Sequence, residues 1–184
     1  MYQELLIWLA LGVVILLTIA SFLFSTFGLM FLFGAPWVRT PDSVAREMLA
    51  FANVQQGETV IDLGSGDGSI LLVALREFGA QKAIGYELHP MLNIIARLKA
   101  RWYGVSHRLE LRTANIFHEP IAHSDVVTVY LLEGTMDKLQ PKLAADLLPG
   151  TRVISRGFAF TQAKPAQEKQ GKKSKLLLYM AGDL

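Results

Sequence analysis

The chain has 184 residues, enough for one globular domain, and 52% of them are hydrophobic. It contains no cysteine, which excludes disulfides, thiolate nucleophiles and cysteine zinc sites. A net charge of +2 is too small to argue for a nucleic-acid partner.

The hydrophobic residues are unevenly placed. No charged residue occurs from Leu5 to Val38. A bilayer-spanning helix needs about 20 apolar residues. This run suffices, and tilt or an interfacial stretch around Gly28 to Trp37 would absorb the excess. A cleaved signal peptide wants a basic n-region and an apolar core of roughly 7–15 residues. Here the N-terminus is Met1-Tyr2-Gln3-Glu4 and the apolar run is far longer. The pattern reads as a single-pass anchor over 1–35 and a domain over 36–184, with a signal sequence or a buried core helix as alternatives. Phe22, Phe24, Phe27, Phe31 and Phe33 read as lipid-facing bulk. The first basic residues after the run are Arg39 and Arg46. Positive charge collects on the cytoplasmic side, so the domain is expected there, with the lipid bilayer as a partner.

Pro36 and Pro41 bracket a short linker. A helix then starts with Asp42 or Ser43 as cap and carries Val44, Met48, Leu49 and Phe51 inward. Thr59 to Leu63 is a strand, followed by a glycine turn. Ser69 to Phe78 is a helix stopped by Gly79. Lys82 to Leu88 is a second strand. Pro90 opens a helix that runs to about Tyr103. Leu109 to Ala114 is a third strand. Asp125 to Leu132 is a fourth, almost wholly apolar, as a central parallel strand should be. Thr135 to Leu148 is helical and ends at Pro149-Gly150; Thr151 to Phe160 and Leu176 to Ala181 are the last strands.

The segment from Thr161 to Lys175 lacks apolar periodicity and reads as a loop, which makes the final two strands an antiparallel pair. Its lysines, Lys164, Lys169, Lys172, Lys173 and Lys175, read as a solvated surface, with anionic lipid headgroups as the sharper alternative. Alternating strands and helices predict an α/β fold: a Rossmann-like, mostly parallel sheet with helices on both faces, preceded by the N-terminal transmembrane helix.

The chemistry concentrates in Val60-Ile61-Asp62-Leu63-Gly64-Ser65-Gly66-Asp67-Gly68. In open α/β sheets a ligand sits outside the carboxyl ends of the strands. Glu87 ends the next strand, where its carboxylate can accept both hydroxyls of a ribose. Gly64 and Gly66 let backbone approach the ligand closely. Asp62 and Asp67 bring negative charge, which suits a ligand carrying an ammonium and a sulfonium. A dinucleotide fingerprint would read G-x-G-x-x-G and hold a pyrophosphate, which Asp67 would oppose. No Gly-Lys-Ser/Thr follows, so a Walker loop is excluded. The pattern favours S-adenosylmethionine. His89, His107, His118 and His123 are scattered without metal-ligand spacing.

Asp62 to Gly68 resembles motif I of class I S-adenosylmethionine-dependent methyltransferases. Around it, in order, stand Trp37-Val38-Arg39-Thr40-Pro41, Gly85-Tyr86-Glu87-Leu88-His89-Pro90, Asp125-Val126-Val127-Thr128-Val129-Tyr130-Leu131-Leu132 and Pro149-Gly150-Thr151-Arg152-Val153-Ile154-Ser155. The whole, over about Pro36 to Phe160, is similar to a family of small, often membrane-anchored methyltransferases. Its mitochondrial members are protein-lysine methyltransferases acting on the ATP synthase c subunit and the adenine nucleotide translocase.

The resemblance implies that Asp62, Gly64, Gly66 and Glu87 bind the cofactor. It puts Asn115, where the family usually has aspartate, at the adenine edge, and Thr40 closing over the cofactor. Tyr130 would lie beside the transferring methyl. Glu133 stands where proline is common in bacterial relatives, and would take the proton of an incoming lysine; its alternative role is to complement a helix dipole. Gly157 stands where relatives often carry a polar or acidic residue. The strand end lacks an Asn/Asp-Pro-Pro-Tyr/Phe-like motif, which argues against methylation of adenine or glutamine amides. The implied acceptor is a lysine of a membrane-associated protein. The alternatives are a cofactor-binding scaffold without catalysis and a methyltransferase of lipids or quinones.

Overall fold

The computed structural model describes the backbone of residues 2–33 and 38–184, and side chains over 2–22, 24–25 and 38–184. Two compact units emerge, Met1–Pro36 and Trp37–Leu184. The first is one helix, α1 (Tyr2–Phe33), whose described side chains are all exposed. The expected boundary at residue 35, Pro36 and Trp37 of the linker, and the side chains of the interfacial stretch up to Trp37 lie outside the described residues, as do those of Phe27, Phe31 and Phe33.

The second unit is a seven-stranded sheet in the order β3-β2-β1-β4-β5-β7-β6. Strands β1 (Thr59–Leu63), β2 (Lys82–Glu87), β3 (Leu109–Thr113), β4 (Val126–Val129) and β5 (Arg152–Arg156) are parallel. Strand β7 (Lys175–Met180) joins β5 antiparallel, as expected for the last pair. The segment expected to be a loop contains one more strand, β6 (Gln167–Gln170), which pairs antiparallel with β7. All four of its side chains are exposed. No apolar alternation could betray it, because it is held by backbone bonds at a sheet edge.

Helix α2 (Asp42–Phe51) precedes β1, and α3 (Ser69–Glu77), α4 (Pro90–Trp102) and α5 (Glu133–Asp146) run between strands. Neither Asp42 nor Ser43 caps α2. The N-cap is Pro41, whose carbonyl accepts from the N–H groups of Val44 and Ala45 at 2.9 and 3.0 Å. Asp42 sits in the first turn instead, where its charge complements the helix dipole. Phe51 is half-buried, and Ala45 takes the inward position beside Val44, Met48 and Leu49.

Two apolar clusters lie one on each face of the sheet. Met48, Leu49, Leu71, Leu75, Ile154 and Leu178 belong to one, with α2 and α3. Ile61, Leu63, Val127, Met136, Leu139 and Leu143 belong to the other, with α5. Each fully buried side chain of this kind contributes about 1.5–3 kcal/mol. The central strands β1 and β4 are buried on both faces, which is why they are apolar almost throughout. β4 is shorter than its apolar run: Tyr130, Leu131 and Leu132 leave the sheet before α5 begins. β5 stops at Arg156 because Gly157, at φ +85°, turns the chain away.

Candidate functional site

From β1 the chain moves outward to β2 and β3, then returns to β4 on the other side of β1. The crevice at the carboxyl ends of β1 and β4 is thus the point where strand order reverses. Register aligns what faces it. Leu63 pairs with Tyr86 on one side and Val129 on the other, and Val129 pairs with Ser155. One residue further along each strand, Glu87, Gly64, Tyr130 and Arg156 follow in a row across four adjacent strand ends. Glu87 also pairs with Thr113 of β3, two residues before Asn115.

The glycine turn is shaped by backbone. The amides of Gly64 and Ser65 both donate to the Tyr86 carbonyl, at 2.8 and 3.0 Å. Gly64, Gly66 and Gly68 have φ of +83°, +54° and +74°, which explains glycine at every second position. At Gly68 a Cβ would also lie 2.9 Å from the Ala96 Cβ, so α4 packs directly on the turn.

Glu87 is half-buried and fixed by two backbone donors. The Gly66 amide donates to Oε2 and the His89 amide to Oε1, each at 2.8 Å. Each oxygen keeps a lone pair for a further donor. Asp62 is buried, and Thr128 Oγ1 donates to its Oδ1 at 2.7 Å. Burial pushes its carboxyl up to about 7; the Thr128 bond opposes this, and the charges of Glu87 and Asp67 reinforce it. Among the described residues, no cation pairs with Asp62 or Glu87 within 4.0 Å.

Asp67 is different. Ser69 Oγ donates to its Oδ1 at 2.6 Å, the Lys99 ammonium bonds its Oδ2, and Arg39 Nε lies 3.4 Å from the same oxygen. Its charge is already matched within the chain. The Arg39 contact also brings the linker onto the glycine turn, next to the buried Thr40. Asn115 Oδ1 accepts from the Phe117 amide at 3.0 Å, a local turn that leaves its amide nitrogen as a donor.

On the other side of the crevice, Tyr130 is half-buried under the Arg156 guanidinium, 4.2 Å from the ring centroid. Arg156 is a residue that sequence reasoning missed. It is buried, its Nε donates to Ser174 Oγ at 2.9 Å, and among the described residues one of its terminal nitrogens has no hydrogen-bond partner. Its only sequence signal is a charged residue closing an apolar strand. Glu133 is exposed in the first turn of α5, a position that complements the helix dipole.

A parallel sheet of this order with an antiparallel last pair, a glycine turn after its first strand and a carboxylate closing its second define a class I methyltransferase. Residues 62–167 match the ANTKMT methyltransferase domain. A protein-lysine N-methyltransferase of Saccharolobus islandicus is 38% identical over 132 residues, which is 72% of this chain and 82% of that protein. The mouse adenine nucleotide translocase lysine N-methyltransferase is 32% identical over 130 residues, 71% of this chain; the match spans only 56% of the mouse protein's length. Among solved structures, an RNA methyltransferase from Salinibacter ruber in complex with S-adenosyl-L-homocysteine superposes with a TM-score of 0.76 at 35% identity, covering 80% of this chain and 95% of that one. The chain belongs to the ANTKMT methyltransferase domain family, and is an S-adenosylmethionine-dependent methyltransferase.

Proposed function

We propose that the chain is a membrane-anchored enzyme that methylates the side-chain amine of lysine in a membrane-associated protein. The observation that carries the donor half is the pair of carboxylates, Asp62 and Glu87, at adjacent strand ends, with no cation of their own among the described residues. They fit a nucleoside with a cationic amino-acid end. Glu87, oriented by Gly66 and His89, has open lone pairs for a ribose diol. Asp62 offers a buried carboxylate to an ammonium or sulfonium. Gly64 and Gly66 bring backbone against the same ligand, Asn115 meets the base edge, and Thr40 covers it from the linker. Asp67 serves the pocket indirectly, by tying Lys99 and Arg39 to the turn.

S-adenosylmethionine, when bound, supplies an electrophilic methyl group on a sulfonium. The chain's own work is to position and desolvate the acceptor. A lysine amine is ordinarily protonated, with a pKa of about 10.4. Tyr130 supplies a half-buried aromatic wall, and Arg156 a fixed cation behind it; both favour the neutral amine. Glu133, exposed at the start of α5, accepts the departing proton or passes it to solvent.

The archaeal and mouse relatives named as lysine methyltransferases support lysine as acceptor. The apolar span Tyr2–Phe22, exposed along its length, supports the anchor, and with it the reading of 1–35 as anchor and 36–184 as domain. Eight residues separate α1 from α2 in the sequence. Arg39 and Arg46 favour the cytoplasmic side.

The test is to incubate membranes with donor labelled in its methyl group and either wild type or Glu87→Ala, then separate protein, organic extract and RNA. Label in protein with wild type, lost with the variant, is expected. Label in the organic extract would point to lipid or quinone. Label in RNA would point to the substrate class of the Salinibacter relative.

A further inference from the structure

Helix α4 carries an apolar stripe that the domain leaves uncovered. Met91, Ile94, Ile95, Leu98 and Trp102 recur at helical spacing and are 39%, 47%, 38%, 58% and 87% exposed. They form a stripe about 100° wide. The opposite face, Leu92, Asn93, Ala96 and Ala100, is the one that packs on the domain. Leu88, just before the helix, is exposed as well. Arg97 and Arg101 flank the stripe on one side; Lys99, on the other, is held by its ion pair with Asp67, and α4 contains no Asp or Glu.

We propose that this face of α4 lies in the headgroup region of the bilayer as an interfacial helix. The inference rests on the anchored reading, which keeps the domain beside a membrane. The stripe has the make-up of a surface-bound helix: aliphatic side chains along its centre, a terminal Trp, and two arginines on one flank able to snorkel. Anionic lipid satisfies those cations. A second copy of the chain does not, because a self-paired α4 face would set Arg97 and Arg101 against the same two arginines, with no carboxylate on the helix to meet them. Helix α4 begins three residues after Glu87. Docking therefore holds the second strand's carboxyl end, and the crevice beside it, close to the membrane surface, and sets the depth at which an acceptor lysine is reached.

The chain has no cysteine, so single nitroxide labels can be placed cleanly. Full-length Leu98→Cys and Trp102→Cys, with Gln81→Cys as an exposed control at the far end of β2, are labelled and reconstituted into phosphatidylcholine vesicles containing phosphatidylglycerol. All three positions are exposed, so labelling leaves the core intact. Relaxation by oxygen is compared with relaxation by a water-soluble nickel chelate. The expected result is loss of nickel accessibility and gain of oxygen accessibility at 98 and 102 relative to 81. Nickel accessibility at 98 and 102 equal to that at 81 overturns the proposal. So does spin–spin broadening that disappears on dilution with unlabelled chain, which would reveal a second copy. Alkaline carbonate extraction separates the two readings. A chain that stays in the vesicles with aqueous labels overturns the interfacial helix alone, whereas a chain that is extracted overturns the anchor beneath it.

Discussion

The guanidinium of Arg156, the last residue of β5, lies over the ring of Tyr130, the residue after β4, 4.2 Å from its centroid. Among the described residues no carboxylate neutralises Arg156 within 4.0 Å, and one of its terminal nitrogens has no partner. A buried cation without a counter-charge is costly, and at this position it depresses the pKa of an amine brought to Tyr130. Arg156→Met keeps the stem and removes the charge. The acid limb of kcat/KM should move to higher pH, with roughly a tenfold loss of rate at neutral pH for each unit moved. A purely structural role would lower kcat/KM equally at every pH.

Asp62 makes stability depend on pH. An aspartate titrates near 3.9 in the unfolded chain, whereas burial pushes Asp62 up to about 7 in the folded one. The folded chain therefore holds a proton that the unfolded chain releases between those values. The associated stabilisation is complete below about pH 4 and is lost as pH rises through about 7. Asp62→Asn keeps the shape without the charge. In urea melts from pH 4 to 8, wild type should lose on the order of 3 kcal/mol relative to the variant.

The same group should couple pH to donor binding. A cationic ligand favours the ionised carboxylate, so calorimetric affinity for S-adenosylmethionine should rise between pH 6 and 8, with proton release. In Asp62→Asn the affinity should be weaker and flat with pH.

Lys99→Met tests the indirect role of Asp67. Removing the ammonium leaves a buried carboxylate with only the longer Arg39 contact and the Ser69 hydroxyl. The expected loss is about 1–3 kcal/mol. Donor affinity should fall less than in Glu87→Ala, because Lys99 supports the turn rather than meeting the ligand.

Gly85→Ala probes how tightly the turn is seated. Its Cβ would lie 2.5 Å from Ser65 Oγ and 2.8 Å from methyl carbons of Leu71 and Leu111. Overpacking of this kind costs about 1–3 kcal/mol. Displacement of Ser65 should also weaken donor binding, which calorimetry would register beside the urea midpoint.

Much of this architecture is written locally. The apolar runs of β1 and β4, the glycines at alternate positions and Pro90 at the head of α4 each announce their element within a few residues. Features set by distant partners are not announced. Strand β6 is polar throughout and exists because β7 offers it a hydrogen-bonding edge. The ion pairs of Asp67 with Lys99 and Arg39 join residues distant in the chain, so neither partner is announced beside it. Arg156 looks like a strand-end charge until Tyr130 is set beneath it by the pairing of β4 with β5. The ends of β4 and β5 were harder to read than their centres, because apolar sequence continues past the point where each chain leaves the sheet.

The most direct test is amino-acid analysis of membrane protein labelled by the full-length enzyme and methyl-labelled S-adenosylmethionine. Radioactivity recovered as Nζ-methyl-lysine with wild type, and absent with Glu87→Ala, is the predicted result. Label recovered on any other residue, or methyl-lysine formed equally by both proteins, would contradict it.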